Sequence, residues 1–302
     1  MIPMPMRLSA VLAALLLCAC QTPPKPGLAV VVSSAPVQAA KPAARAPRIG
    51  LALGGGAARG FAHIGVIQVL EESGVRVDLV AGTSAGSLVA ALYASGKDGK
   101  ELAATAVAMD ESTFADWSFP GRGLIRGEAL ARYVREQTRS RSIEQMTVPL
   151  GIVATDLDSG AAILFQRGDT GMAVRASSAV PAVFQPVRIG QREYVDGGLV
   201  SPVPVRFARQ MGAELVVAVD ISATPEGNAT GDAMKMLLQT FSIMGRSINF
   251  FELRDADIVI RPALTGMSGA DFASRQRAIQ AGRDATKAVL PALQARIAAL
   301  ML

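Results

Sequence analysis

Two apolar runs, Ile49 to Leu53 and Val75 to Ala81, each stop at a glycine turn that opens directly into a helical stretch. The alternation continues downstream. Val148 to Thr155, Ala161 to Gln166, Leu215 to Ile221 and Ile258 to Ile260 read as strands. Arg126 to Arg139, Val203 to Met211, Met234 to Leu253 and Phe272 to Ala299 read as helices. Strands that alternate with helices predict an α/β fold, a three-layer α/β/α sandwich around a mostly parallel central sheet. No internal repeat is visible.

Half of the 302 residues are apolar, which is enough to bury one substantial core. The formal charge of +5 is spread along the chain rather than gathered into runs. No aromatic-rich basic motif, zinc spacing or helix-turn-helix pattern accompanies it, so nothing supports a nucleic-acid partner. Both cysteines, Cys18 and Cys20, close the first apolar run, so no disulfide holds the rest of the chain together. That run, Leu8 to Cys20, follows Arg7 and is shorter than the roughly 20 residues a membrane span requires. Residues 1–19 therefore read as a signal peptide. Leu17-Cys18-Ala19-Cys20 resembles the bacterial lipoprotein cleavage box, which implies lipidation of Cys20. Gln21 stands where an Asp would favour inner-membrane retention, so the expected location is the bacterial cell envelope, at the outer membrane facing the periplasm. Residues 20–47, with Pro23, Pro24, Pro26, Pro36, Pro42 and Pro47, read as a semi-extended tether, and residues 48–302 as the folded domain.

Gly82-Thr83-Ser84-Ala85-Gly86 matches the G-x-S-x-G nucleophile elbow, with the strand before it and the helix after it that the motif demands. A serine in such a sharp turn needs neighbours without Cβ, or strand and helix collide. Its place at a helix start also brings backbone N–H groups beside developing negative charge. The earlier loop, Gly54-Gly55-Gly56-Ala57-Ala58-Arg59-Gly60, also joins a strand to a helix. A P-loop needs Gly-Lys-Ser/Thr at its end, but Gly60 is followed by Phe61. A dinucleotide fingerprint fails too, because Arg59 or Ala57 falls where glycine is required. An oxyanion hole built from the N–H groups of Gly55 and Gly56 stands beside a purely structural turn as the surviving reading.

A serine nucleophile needs a base, and the chain contains a single histidine, His63. His63 falls about a turn into the helix after the glycine loop, flanked by core residues, which suits a structural role better than a catalytic one. The base is then a carboxylate acting directly on the hydroxyl. Asp196, in Tyr194-Val195-Asp196-Gly197-Gly198, ends a short strand that pairs with Val187 to Ile189 across Gly190-Gln191. Asp156, Asp158 and Asp220 are its rivals, and an ordinary turn is the bland reading of Asp-Gly-Gly.

In order, spacing and flanks, these three motifs resemble the patatin-like phospholipases, in particular their compact bacterial branch. The Ala176-Ser177-Ser178-Ala179-Val180-Pro181-Ala182-Val183-Phe184 segment resembles the family's helix and turn ahead of its Asp strand, and the likeness runs from Arg48 to Ala263. The resemblance implies Ser84 as nucleophile and Asp196 as base and proton acceptor. It implies an oxyanion hole framed by Gly54, Gly55, Gly56 and Arg59, with Gly82, Gly86, Gly197 and Gly198 as motif glycines. The implied activity is a serine acyl hydrolase acting on lipid or phospholipid acyl esters, with no metal and no cofactor. The implied partners are that substrate and a membrane surface reached through the N-terminal lipid anchor. One departure stands out: Ala57 occupies the place of the family's usual fourth loop glycine, and alanine disfavours positive φ. A lipid acyltransferase on the same site and a non-catalytic lipoprotein scaffold are the competing functions. Phe114, Trp117 and Phe119, with Pro120, Gly121 and Gly123 nearby, form either a mobile cover or a loop tucked onto the core. Met234, Met236, Leu237, Leu238, Phe241, Ile243 and Met244 either line an acyl pocket or pack a helix.

Overall fold

The computed structural model describes residues 45–109, 116–117, 121–225 and 230–301. The signal peptide, Cys20 and the tether up to residue 44 lie outside the described residues, as do Phe114, Phe119 and Pro120.

Strand β1 (Ile49–Leu53) leads through a 3-10 turn (Ala57–Phe61) into α1 (Ala62–Glu72), and β2 (Leu79–Thr83) leads into α2 (Ala85–Ala94) and α3 (Gly99–Ala108). After β3 (Gly123–Ile125) and α4 (Glu128–Gln137) come β4 (Leu150–Asp156), β5 (Ala162–Phe165), α5 (Thr170–Ser177) and β6 (Ala182–Phe184). The hairpin β7 (Val187–Ile189) and β8 (Arg192–Asp196) is followed by α6 (Val205–Gln210) and β9 (Leu215–Val219). The described chain closes with α7 (Ala233–Glu252), β10 (Ile258–Ile260) and α8 (Arg275–Leu300).

The main sheet has the order β10-β9-β1-β2-β4-β8-β7, with β5 joined to β4. Strands β10, β9, β1, β2 and β4 run parallel, whereas β5, β7 and β8 pair antiparallel, so the expected mostly parallel sheet is present. Side chains alternate between the two faces as the pleat requires. Leu51, Leu53, Val80, Val217 and Val219 pack toward α1, α2 and α8, in one core with Ile64, Ile67, Ala90 and Leu293. Ala52, Ala81, Val216 and Ala218 face the opposite way, onto Val205 and Ala208 of α6. Helices on both faces make the three layers.

Several bounds differ from the sequence expectation. Val75 and Val77 are buried, but they precede β2, which instead runs on to Thr83. Helix α3 is an addition to the expected set, and α5, the helix that the family resemblance implied ahead of the Asp strand, begins earlier than the segment that suggested it. Both begin at a capping aspartate, Asp98 for α3 and Asp169 for α5. Helix α8 lies against α1 at a very short distance: a Cβ at Gly65 would stand 1.9 Å from Ile279 O, and one at Gly282 would stand 2.0 Å from Ala62 O. The Met234 to Met244 segment packs only part of its apolar side chains inward, with Met234, Leu237 and Phe241 half-buried. Met236, Leu238, Ile243 and Met244 of α7 are exposed.

Strand β4 aligns the serine turn with the Asp-Gly-Gly strand. Strand β2 pairs with it in parallel along Leu150 to Val153, ending with Thr83 opposite Val153. Strand β8 comes from the other direction, with Asp196 opposite Ala154. Because β5 occupies the other edge of β4, β2 and β8 lie on the same edge, running head to head toward adjacent rungs.

Candidate active site

Ser84 follows the last residue of β2 and serves as the N-cap of α2, with φ 52° and ψ −124°. A non-glycine residue in that region is strained, by about 1–3 kcal/mol, and persists only where its surroundings dictate it. The two motif glycines make the turn feasible. A Cβ on Gly82 would lie 2.5 Å from Gly86 O, and one on Gly86 would lie 2.1 Å from Leu53 O. The strand, the helix start and the end of β1 therefore interlock at backbone contact. Ser84 N–H donates to Ser177 Oγ (2.8 Å), and the Ser177 hydroxyl donates to Val153 O (2.6 Å), which ties the turn to β4.

The head-to-head strands bring Ser84 and Asp196 together across 112 positions of sequence, and Ser84 Oγ donates to Asp196 Oδ2 at 2.7 Å. Gly198 N–H donates to the other carboxylate oxygen, Oδ1, at 2.7 Å. Thr155 Oγ1 donates to Asp196 O (2.7 Å) and Asp196 N–H to Ala179 O (3.0 Å), so its backbone is fixed at both ends. Gly197 has no room for a Cβ, which would lie 2.2 Å from Val153 O. Asp196 is 5% exposed. Burial pushes its carboxyl up to about 6, against the opposing pull of the hydrogen bonds from Ser84 and Gly198.

The rival acids are engaged elsewhere. Asp156 accepts from the Ser159 N–H (2.9 Å), from Arg192 Nη1 (2.8 Å) and from Ser159 Oγ (3.0 Å), which hold its carboxyl down to about 2. Asp220 lies 3.5 Å from Arg261, and Asp158 is exposed. His63 is fully buried, and its Nε2 lies 2.8 Å from Gly54 O. A carbonyl only accepts, so the proton sits on Nε2 and the imidazole braces the glycine loop. Burial holds His63 down to about 4, which keeps it neutral at ordinary pH.

The glycine loop lies over the elbow: a Cβ at Gly55 would stand 3.1 Å from Ser84 Cβ, and one at Gly60 would stand 2.9 Å from Ala85 Cβ. Its amides divide unevenly. Gly54 N–H donates to Val219 O (3.0 Å), Gly55 N–H to Pro202 O (2.9 Å) and Ala58 N–H to Gly269 O (3.0 Å). The expectation that the Gly55 amide faces the reaction thus gives way. Gly56 and Ala57 are the loop amides with no such acceptor among the described residues. The first-turn amides of α2, at Ala85 and Gly86, likewise have no intrahelical acceptor. Arg59 turns away to bind Ile221 O (2.9 Å) and Met267 O (3.5 Å), so it anchors the loop rather than framing an anion. Ala57 adopts φ 51° despite its Cβ. Ser177 lies in the segment that resembles the family's helix and turn, but nothing in the sequence marks its hydroxyl or that of Thr155 as a brace; both roles depend on where β4 lies in space. Trp117 is 69% exposed and bridges to Ile125, and Gly123 belongs to β3, which pairs with β6.

A strained serine elbow, a buried carboxylate within one hydrogen bond of it and a glycine loop above them, on a mostly parallel sheet, define the class of nucleophile-elbow α/β proteins. Residues 51–209 match the patatin-like phospholipase family, and the chain belongs to that family. An uncharacterized NTE family protein of Mycobacterium tuberculosis is 37% identical over 204 residues, covering 67% of this chain and 56% of the relative. The chain thus spans little more than half the length of that relative. Patatin-like phospholipase domain-containing protein 6 of Mus musculus is 34% identical over 197 residues, covering 62% of this chain and 14% of the relative. The crystal structure of VipD from Legionella pneumophila shares the fold, with a TM-score of 0.55 at 16% identity over 83% of this chain and 68% of the other.

Proposed function

We propose that the protein is a serine acyl hydrolase that cleaves acyl esters of lipids or phospholipids through Ser84 and Asp196. The observation that carries this reading is the 2.7 Å hydrogen bond from Ser84 Oγ to a carboxylate with its pKa raised to about 6, at a serine held with φ 52°. Such a carboxylate is ionised at neutral pH and still basic enough to take the serine proton. Asp196 accepts that proton as Ser84 Oγ attacks the ester carbonyl. The amides of Gly56 and Ala85 are the donors suited to the resulting oxyanion, each worth roughly 3 kcal/mol of barrier. Asp196 then returns the proton to the leaving alcohol. Water, deprotonated by the same carboxylate, attacks the acyl-enzyme, and as the bond to Ser84 Oγ breaks and the fatty acid leaves, Asp196 returns the proton to Ser84 Oγ. No step calls for a cofactor.

The reading extends to location: a lipidated Cys20 and a proline-rich tether hold the domain at the outer membrane of a bacterial envelope, facing the periplasm, where phospholipid is at hand. Among the described residues no helix is long and apolar enough to cross a membrane.

The test is kinetic. Ser84→Ala and Asp196→Asn each lower kcat/KM on phospholipid and on short-chain acyl esters by about a thousandfold or more. Ser84→Ala also abolishes covalent capture of a fluorophosphonate. A folded Ser84→Ala protein that still turns over its esters ends the proposal.

A further inference from the structure

Helix α7 carries apolar residues on both its covered and its exposed sides. Its two buried residues are Asn249 and Glu252, both polar. Asn249 Nδ2 donates to Ser222 Oγ (2.9 Å), and Glu252 Oε1 accepts from Ser201 Oγ (2.7 Å). Met234, Leu237, Phe241 and Ile248 are half-buried, whereas a second set of apolar residues points outward. Met236, Ile243 and Phe250 recur every seventh residue and are 59%, 51% and 65% exposed. The neighbouring row ends in Met244 and Phe251, 45% and 66% exposed, and the two phenylalanines stack edge to face with centroids 5.2 Å apart. A helix docked on a soluble core turns its apolar stripe inward. This one also presents a second apolar row to the outside, the kind of patch that marks an interaction surface.

The charge pattern favours one kind of partner. From Ala233 to Arg254 the basic residues Lys235, Arg246 and Arg254 lie on the exposed surface, and Arg254 sits 5.7 Å from the Phe250 ring centroid. The sole acid of that stretch, Glu252, is turned into the protein. Exposed acids stand at the two ends of the helix, Asp232, which pairs with Lys235 at 3.0 Å, and Asp255, so the aromatic and aliphatic side chains between them, bordered by Arg246 and Arg254, suit an anionic lipid surface. The helix is also close to the chemistry. Gly245 rests on Pro202, whose carbonyl holds the Gly55 amide, and Ser201, bound to Glu252, accepts through its own carbonyl from Thr83, one residue before Ser84.

We infer that α7 is a membrane-docking helix, which lies in the interface of an anionic phospholipid bilayer and holds the Ser84 site against the lipid surface. The contact is independent of any N-terminal anchor. It relies on the lipid-ester reading only for the purpose of docking, not for the docking itself.

The test uses a local reporter in the full chain. The sole tryptophan is removed by Trp117→Phe, and an indole is introduced by Phe250→Trp. Phosphatidylglycerol vesicles are expected to shift the emission to shorter wavelength and, when their acyl chains are brominated, to quench it; neutral phosphatidylcholine vesicles do so less. Vesicles that sediment with the protein but leave the emission unchanged overturn the inference. So does a shift that appears with rising protein concentration and no lipid, since the cover is then a second copy of the chain. The double variant Phe250→Ser, Phe251→Ser should lose about tenfold or more of its turnover on vesicles and none on a soluble short-chain ester. Equal loss on both substrates, or no loss on either, counts against docking. If Ser84→Ala retains ester turnover while the introduced indole still responds to lipid, the catalytic reading fails and the docking inference stands.

Discussion

Asp196 sits where water hardly reaches, and burial, opposed by the donors Ser84 and Gly198, sets its titration near 6 instead of the ordinary 3.8. As the base it must be ionised, so kcat/KM falls as pH drops through about 6, two units above the limb of an ordinary carboxylate. His63 adds no limb of its own. His63→Gln, which can still donate to Gly54 O, leaves the pH profile of kcat/KM unmoved. The same shift bears on stability. Between about 4 and 6 the native protein holds a proton that the unfolded chain releases, so stability declines as pH rises through that window. Asp196→Asn has no charge to bury. Its stability relative to the natural protein should therefore grow from pH 4 to pH 8, by up to about 3 kcal/mol, measured as urea unfolding at the two values. Ala57 is a second strained residue, with φ 51°. Ala57→Gly should raise the unfolding midpoint if relief of strain, about 1 kcal/mol, outweighs the added freedom of the unfolded chain.

Two helical glycines illustrate how elements decide what a residue is worth. Alanine is the better helix former by about 1 kcal/mol, and Gly245 of α7, whose Cβ would meet nothing nearer than Pro202 Cγ at 3.6 Å, should gain from Gly245→Ala. At Gly282 of α8 the same change drives a methyl into Ala62 O and should cost about 1–3 kcal/mol, read from the thermal or urea midpoint. Much at this scale is legible from sequence. Strands β1 and β10 have the bounds their apolar runs announce, and the β7–β8 hairpin turns at Gly190 as its spacing requires. Helix α3 escapes such a reading although Asp98 and Glu101 form a capping box, because its Ala-rich body has little apolar period. The elbow serine and Asp-Gly-Gly are legible because their glycines satisfy local backbone demands. The Gly55 amide misleads because its acceptor, Pro202 O, is supplied by a distant loop, and Ser177 goes unnoticed because nothing local marks a hydroxyl that bridges two strands.

Across the molecule, stability should be graded. Amides of β1, β2, β4 and β9, buried throughout, should exchange hydrogen slowest, and those of α7, with little of its surface covered, among the fastest of the helices. Adding anionic vesicles should slow α7 and leave the central strands unchanged, as mass spectrometry of exchanged peptides can read. The meeting of β2 and β8 on one edge of β4 carries a further implication for engineering. Serine and aspartate arrive on separate stretches of chain, and the exposed turn through Asp158, Ser159 and Gly160 lies between them. A polypeptide cut at that turn yields one fragment with the nucleophile and another with its proton acceptor. Neither half alone should capture a fluorophosphonate, and mixing them should restore labelling, so the protein is a ready scaffold for a two-component complementation reporter.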